Sequence, residues 1–175
     1  MKTSLPLIST PVTRRQFLKT SGLAAVTSTL AAPAVLAQTK PGDTLRVGLV
    51  GCGGRGTGAA AQALAADPNV KLVALADAFS DRLHSSLETL KNQRDIAAKI
   101  DVPEARCFIG FDAYQSVIAH SDVVLLATPP HFRPMHLQAA ITAGKHVFAE
   151  KPVAVDSTGV RKVLATCAEA RRRNL

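Results

Sequence analysis

The fold of this 175-residue chain can be predicted from one segment, Leu45-Arg46-Val47-Gly48-Leu49-Val50-Gly51-Cys52-Gly53-Gly54-Arg55-Gly56. Its apolar first half is typical of a buried strand, and an alanine-rich helical pattern follows the stretch. Gly51, Gly53 and Gly56 have the G-x-G-x-x-G spacing of a dinucleotide-binding turn. In such a turn they allow, in that order, a tight bend, the close approach of a pyrophosphate, and close packing of the helix on the strand. We therefore predict that the whole turn contacts a dinucleotide, including Cys52, Gly54 and Arg55.

A plain strand–turn–helix is the alternative, because glycines also cluster in ordinary turns. A second apolar run, Val70 to Ala76, ends in Asp77, which lies 21 positions after Gly56. That is close to the spacing, about 20 residues, of an acid that binds the ribose hydroxyls of the cofactor. Amide groups at the start of the first helix would bind the phosphates. Together these signals favour the dinucleotide interpretation.

Residues 1–37 are predicted to be a twin-arginine export signal. The pattern Thr13-Arg14-Arg15-Gln16-Phe17-Leu18-Lys19 precedes an apolar stretch, Gly22 to Leu36, and a small-residue cleavage site at Val35-Leu36-Ala37. A membrane anchor would need about 18 to 20 apolar residues, and this stretch is shorter and diluted by polar residues. We expect the twin-arginine translocation machinery to deliver the folded protein to the periplasm, where it stays tethered to the membrane if the signal is not cleaved. An exported dinucleotide enzyme would need to carry its own cofactor.

The formal net charge of +8 does not indicate nucleic-acid binding. Four of the 21 basic residues lie in the signal, and the aromatic content is only 4%, whereas nucleic-acid sites interleave basic and aromatic residues. Cys52, Cys107 and Cys167 lack metal-ligand spacing, so we expect buried small residues, with a reactive thiol at Cys52 as the alternative. His131 and His136 are about 140° apart around a helix, and no metal site is predicted.

Strands and helices alternate along the remaining chain, which predicts an α/β fold with a parallel, doubly wound sheet of the Rossmann type. After a flexible lead-in at 38–44, we expect one domain over 45–175. The predicted strands are 45–50, 70–76, 106–109, 123–127 and 145–149. The predicted helices are 55–66, 80–98, a short one with Asp112 as its N-cap, 134–143, and one that begins at Asp156. Because the sequence stops where a sixth strand would begin, we expect an incomplete sheet whose open fifth strand invites association.

Two further segments should lie at the ligand site, because ligands of such sheets bind beyond the carboxyl ends of the strands. Thr128-Pro129-Pro130-His131 follows the fourth strand, and Glu150-Lys151-Pro152 follows the fifth. A partly desolvated lysine at the mouth of the cleft suits proton transfer, so Lys151 is the predicted catalytic residue. The alternative is a solvated surface lysine.

Three motifs resemble the Gfo/Idh/MocA family over about Leu45 to Leu175: Gly51-Cys52-Gly53-Gly54-Arg55-Gly56, Ala127-Thr128-Pro129-Pro130, and Ala143-Gly144-Lys145-His146-Val147 leading into Glu150-Lys151-Pro152. The resemblance implies an oxidoreductase that uses NAD or NADP and acts on a sugar, cyclitol or related polyol. It places Lys151 beside the nicotinamide and the substrate hydroxyl, Glu150 against the cofactor or Lys151, and Pro152 in a turn that is often cis. It also implies that Thr128 and Pro129 line the nicotinamide-ribose pocket, with His131 nearby.

Asp77 favours NAD, because a carboxylate would repel the 2′-phosphate of NADP, although the glucose–fructose oxidoreductases of the family hold NADP. Many members have a second histidine two positions after the first, and here that position is Arg133, so that role does not transfer. Members also continue into a substrate-binding domain that supplies acid–base partners and that we expect to be missing here. The complete protein is expected to be a homo-oligomer. Two alternatives stay open: a glycosidase that oxidises its substrate transiently with NAD, and a non-catalytic dinucleotide-binding module.

Overall fold

A computed structural model describes residues 43–175 and contains five strands and five α-helices in that range. The strands are β1 (Leu45–Val50), β2 (Val70–Asp77), β3 (Cys107–Ile109), β4 (Val123–Leu126) and β5 (His146–Ala149). The helices are α1 (Gly54–Ala66), α2 (Ser80–Lys91), α3 (Ala113–His120), α4 (Arg133–Thr142) and α5 (Ser157–Arg172).

The strands form one sheet in the order β3-β2-β1-β4-β5, and every neighbouring pair is parallel. Strand order reverses between β1 and β4, where Val47 pairs with Val123 and Val50 with Leu126. All five carboxyl ends lie at one edge of the sheet, and a doubly wound sheet opens its ligand crevice there, next to the reversal point. The predicted α/β Rossmann-type fold is confirmed.

Each face of the sheet carries its own apolar core, because successive strand residues point to opposite faces. Leu49 and Leu125 pack with α1 and α2, whereas Val50, Val124 and Leu126 pack with α3, α4 and α5. The central strands are therefore covered on both sides. This burial explains why their sequences are continuous apolar runs rather than alternating patterns.

The second helix is shorter than predicted and ends at Lys91 instead of residue 98. Its leucines have the expected helical spacing and are buried, but the chain then turns back so that Ile96 also reaches the core. A 3-10 turn over Ala97–Lys99 follows, and Ile100 makes an isolated bridge to Leu72. The prediction was wrong because burial of Ile96 outweighs the weak local preference of residues 92–98 for helix.

The residues at the helix ends can be compared with the capping residues predicted from the sequence. The last helix was predicted to begin at Asp156, and Asp156 is its N-cap, since its Oδ1 accepts a hydrogen bond from the Gly159 amide at 2.6 Å. Asp112 is the N-cap residue of α3 as predicted, although its side chain makes no capping hydrogen bond. Gly144 has φ of 72° just after α4, the left-handed conformation typical of a helix C-terminus.

β5 is the edge strand of the described sheet, and Phe148 on it is half exposed. The predicted export signal lies outside the described residues, as does most of the predicted lead-in. Between residues 43 and 175, no helix has the length and apolar character needed to cross a membrane. The predicted domain limits stay a prediction.

Candidate functional site

A cavity of about 470 Å³ opens at the carboxyl ends of β1, β2 and β4. Of the residues predicted to bind a cofactor, five line it: Gly51, Gly53, Asp77, Thr128 and Pro129. Other lining side chains were not predicted from sequence; they include Phe79, Arg82, Phe111, Tyr114, Phe132, Arg133 and His136. The glycine turn, the predicted ribose-binding acid and the Thr-Pro segment therefore meet in one crevice.

The three glycines of the turn differ in what surrounds them. Gly51 has φ of 98°, and a Cβ there would lie 2.6 Å from the Thr128 amide nitrogen. A Cβ on Gly56 would collide with the Gly51 carbonyl oxygen, so α1 packs against the glycine turn with no room for a side chain at that position. Gly53 is different, because no atom lies within 4 Å of the position of its Cβ. Its surroundings leave room for a ligand's diphosphate in front of α1, and this fits the predicted cofactor.

The N-terminus of α1 has no side-chain cap and no acidic residue in its first turn. Its amide groups and the positive end of its dipole are therefore open to an anion. Thr57 secures this turn, since its hydroxyl donates to the Gly53 carbonyl at 3.0 Å. The Ser86 hydroxyl lies 2.7 Å from the Thr57 hydroxyl and can donate to it, which ties the turn to α2.

Asp77 ends β2 and faces the same turn. Its Oδ2 accepts a hydrogen bond from the Cys52 amide at 2.7 Å, and its Oδ1 accepts one from the Phe79 amide at 3.0 Å. The carboxylate thus fixes the bend of the glycine turn while it also lines the cavity. Burial raises the pKa of the Cys52 thiol, with a further contribution from the Asp77 charge. Cys52 is therefore held as a thiol, which favours a packing residue over a reactive thiolate.

Arg133 joins the two segments that follow β4 and β5. Its side chain is buried at the start of α4, and its Nε donates to the Thr128 carbonyl at 2.9 Å. Its Nη1 donates to the Glu150 carbonyl and, at 2.5 Å, to the Pro152 carbonyl. Burial lowers the pKa of the Arg133 guanidinium, and the Glu150 charge opposes that shift.

Glu150 forms an ion pair with Arg55 at the start of α1. The Arg55 guanidinium, followed by the Arg133 charge, holds the pKa of the Glu150 carboxyl below its usual range. This ion pair connects the glycine turn with the Glu-Lys-Pro segment, although β4 lies between β1 and β5 in the sheet. Gly53 and Lys151 thus lie at the same edge, as the dinucleotide interpretation requires.

Lys151 itself is exposed and does not line the cavity, and the Lys151–Pro152 peptide bond is cis. The partial desolvation expected for this lysine is therefore not provided by residues 43–175. The cis bond agrees with the turn that the resemblance implies for Pro152. His131 is also exposed and outside the cavity, where its ring meets only the edge of Phe132 among the described aromatic side chains.

His136, rather than His131, reaches the cavity. Its ring stacks on Tyr114 with centroids 4.2 Å apart, and its Nδ1 lies 3.3 Å from the Thr128 hydroxyl. Burial lowers the pKa of His136 to about 4, so the ring is neutral near pH 7. Arg133 and His136 lie on the buried stripe of α4 with Leu137, Ala140 and Ile141. This helical spacing was the sequence signal that could have predicted the burial of both residues.

No group of three metal-ligating side chains occurs in the part of the chain that the structure describes. The cysteines are all free, and they differ in exposure: Cys52 is buried, Cys107 is half-buried and Cys167 is exposed on α5. The expectation that all three are buried was wrong for Cys167, because it lies on the outer side of α5.

Comparison with known proteins gives one family match. The model of the Gfo/Idh/MocA oxidoreductase family, described as an NAD-binding Rossmann fold, matches residues 45–174. A glycosyl hydrolase family 109 protein from Solibacter usitatus is 32% identical over 151 residues, covering 81% of this chain and 33% of that protein. An inositol 2-dehydrogenase from Agrobacterium fabrum is 35% identical over 123 residues, covering 69% and 32%. The chain therefore spans about a third of the length of these curated relatives.

The chain also superposes on solved structures of enzymes with a bound nicotinamide cofactor. A 3-ketoreductase from Actinomadura kijaniata in complex with NADP superposes with a TM-score of 0.54 at 27% identity, covering 75% of this chain and 36% of that one. The WlbA dehydrogenase from Bordetella pertussis, in complex with NADH and UDP-GlcNAcA, superposes with a TM-score of 0.56 at 25% identity, covering 74% and 33%.

Proposed function

The chain belongs to the Gfo/Idh/MocA oxidoreductase family and contains its NAD-binding Rossmann fold. From this we propose that the chain is the cofactor-binding part of an enzyme that oxidises or reduces a sugar, cyclitol or related polyol. The proposed reaction exchanges a hydride between the nicotinamide and a carbinol carbon. One observation carries the proposal: the open space before Gly53, the Asp77 carboxylate and the Thr128–Pro129 segment share one cavity at the reversal point of the sheet.

We assign the binding roles along this cavity from the glycine turn outward. The amides that open α1 bind the diphosphate, because they are uncapped and lie at the positive end of the helix dipole. Asp77 binds ribose hydroxyls, and Thr128 and Pro129 contact the nicotinamide ribose. Arg55 and Glu150 form an ion pair at the start of α1, outside the cavity lining, and in this proposal Arg55 offers the diphosphate a positive charge. NAD or NADP, when bound, supplies the hydride acceptor or donor.

Lys151 is the proposed acid–base residue. It follows β5 at the same edge of the sheet as the glycine turn, and its ammonium group is free to approach a substrate hydroxyl. In its neutral amine form Lys151 would take the hydroxyl proton during oxidation, and the resulting ammonium group would return that proton during reduction. Because Lys151 is exposed in residues 43–175, its desolvation would have to come from bound cofactor and substrate or from further polypeptide.

NAD is the preferred cofactor in this proposal. The Asp77 carboxylate lines the cavity and would repel a 2′-phosphate. Arg82 also lines the cavity and would attract that phosphate, and solved relatives hold NADP as well as NADH. Asp77 outweighs Arg82 in our assignment because two amide hydrogen bonds fix its carboxylate in place.

A second candidate function is hydrolysis of a glycoside through transient oxidation by the same cofactor. Several curated relatives are named glycosyl hydrolase family 109 proteins, which favours this alternative. Both reactions need the same cofactor half, so product analysis separates them. A free ketose or lactone supports the oxidoreductase, whereas a cleaved glycoside with no net change in the cofactor supports the hydrolase.

The remaining proposals concern the cell rather than the site. We propose that the twin-arginine pathway exports the protein with its cofactor bound, and that the complete protein is a homo-oligomer. A non-catalytic dinucleotide-binding role is the third possibility. Retained NADH binding without turnover of any polyol or glycoside by the full-length protein would favour it.

The experiment that tests the cofactor proposal compares the natural full-length protein with Gly53→Val. Nucleotide released from unwashed protein is identified by mass spectrometry, and the affinity for added NADH is measured by its fluorescence. Gly53 has φ of −70°, and its added Cβ would meet nothing, so the variant should fold normally. We expect NAD or NADP from the wild type and a loss of NADH affinity in the variant. Equal NADH affinity in both proteins would refute the proposal.

A further inference from the structure

Arg133 is a buried cation whose partners are backbone carbonyls. Its side chain is only 6% exposed, and no carboxylate oxygen of residues 43–175 lies within 4.0 Å of its guanidinium. Burying a charge is costly unless hydrogen bonds satisfy it. The carbonyls that do so are therefore a feature of the site that requires an explanation.

Those carbonyls belong to two separate segments. The Thr128 carbonyl lies in the segment after β4, whereas the Glu150 and Pro152 carbonyls flank Lys151 in the segment after β5. One planar guanidinium thus spans the two segments and holds both residues next to Lys151. A lysine at this position could not do the same, because its ammonium group lacks the flat, widely spaced donors.

We infer that Arg133 is a positioning residue that fixes the Lys151 segment against the Thr128 segment and so forms the half of the crevice that receives the nicotinamide. This inference rests on the proposed function. It assigns Arg133 no contact with the diphosphate, since the glycine turn and Asp77 are held by their own hydrogen bonds. Removal of the guanidinium should therefore loosen one end of the cofactor site and leave the other intact.

Arg173, the C-cap residue of α5, provides a control, because its exposed guanidinium binds carbonyls at the opposite end of α4. Its Nη1 donates to the Ile141 and Thr142 carbonyls, the last of α4, far from the crevice. Both arginines thus bind backbone carbonyls with a guanidinium. If Arg133 only stabilised the fold, Arg133→Met and Arg173→Met should change ligand binding in the same way.

The test measures two ligands on the natural full-length protein and its variants. NADH binding is followed by its fluorescence, and ADP-ribose, which lacks the nicotinamide, is measured by competition. Arg133→Met should lower the affinity for NADH by about tenfold or more, which is the effect of losing one hydrogen bond at the nicotinamide end. The affinity for ADP-ribose should not change. Arg173→Met should change neither affinity.

Each other outcome is decisive. If Arg133→Met lowers the affinities for NADH and ADP-ribose equally, or changes neither affinity, the positioning role is overturned. If Arg133→Met does not fold, Arg133→Lys decides, because it keeps the charge but cannot span the two segments and should still weaken NADH selectively. Wild-type protein that binds neither ligand would instead refute the proposed function, so the two failures are distinguishable.

Discussion

Gly56→Ala should destabilise the protein, although it places a better helix former inside α1. A Cβ at Gly56 would lie more than 1 Å inside the 3.0 Å limit of real Cβ contacts, and the atom it meets is the Gly51 carbonyl oxygen. It would also approach the Ala127 Cβ at 3.1 Å. Because the first obstacle is backbone, no side-chain rotation relieves it, and either α1 or the turn must shift.

The magnitude follows from two opposing contributions. Overpacking a tight contact costs about 1 to 3 kcal/mol or more, whereas replacing glycine by alanine in a helix gains about 0.5 to 1 kcal/mol. The contact with a fixed carbonyl places Gly56→Ala at the upper end of the overpacking range. We expect a net loss of about 2 kcal/mol in the free energy of unfolding.

Gly58→Ala is the matched control, because it lies in the same helix and its Cβ would meet no atom within 4 Å. That substitution should stabilise by about 0.5 to 1 kcal/mol. Urea unfolding followed by far-UV circular dichroism measures both variants, and equal slopes with denaturant confirm that only stability changes. Unfolding free energies within about 0.5 kcal/mol of each other would refute the close-packing argument, since that spread is typical of neutral substitutions.

Three further predictions concern charge and chemistry. Since burial lowers the pKa of His136 to about 4, the unfolded chain binds a proton more readily than the folded chain. The contribution of the neutral ring to the free energy of unfolding is therefore complete above about pH 6.5 and should fall by about 3 kcal/mol as the pH drops to 4. His136→Phe should remove that part of the slope in urea titrations, and an unchanged slope would contradict it. Asp77→Ala should lower the affinity for NADH by about tenfold, as measured by competition, because it removes the hydrogen-bond acceptor of the Cys52 amide. The affinity for NADPH should fall less, because the same substitution also removes the carboxylate that repels the 2′-phosphate. Lys151→Met should lower kcat by about 10²- to 10⁴-fold with NADH affinity kept, and a fall in affinity alone would assign Lys151 to binding.

Local sequence signals predicted most of the fold and the first half of the site. The glycine spacing, the apolar strands and the position of Asp77 are short-range features, and each reflects a backbone or packing requirement of a few neighbouring residues. The helix that follows β2 shows the limit of such signals. Its pattern continues past Lys91, but the chain turns because Ile96 is buried by contacts that the local pattern does not contain.

The second half of the site was decided by tertiary structure. The position of His131 after the fourth strand and the family resemblance directed attention to that residue, whereas the fold exposes His131 and buries His136 against Tyr114. Arg133 had been noted only as a departure from a family pattern, yet its guanidinium connects carbonyls up to 19 positions away.

The dinucleotide fold and the position of its glycine turn could thus be predicted from the amino-acid sequence, because those properties depend on local conformation and strand burial. The identity of the side chains that enclose the crevice follows from long-range contacts. That choice depends on which ends of β1, β4 and β5 come together, and on which buried polar groups find partners there.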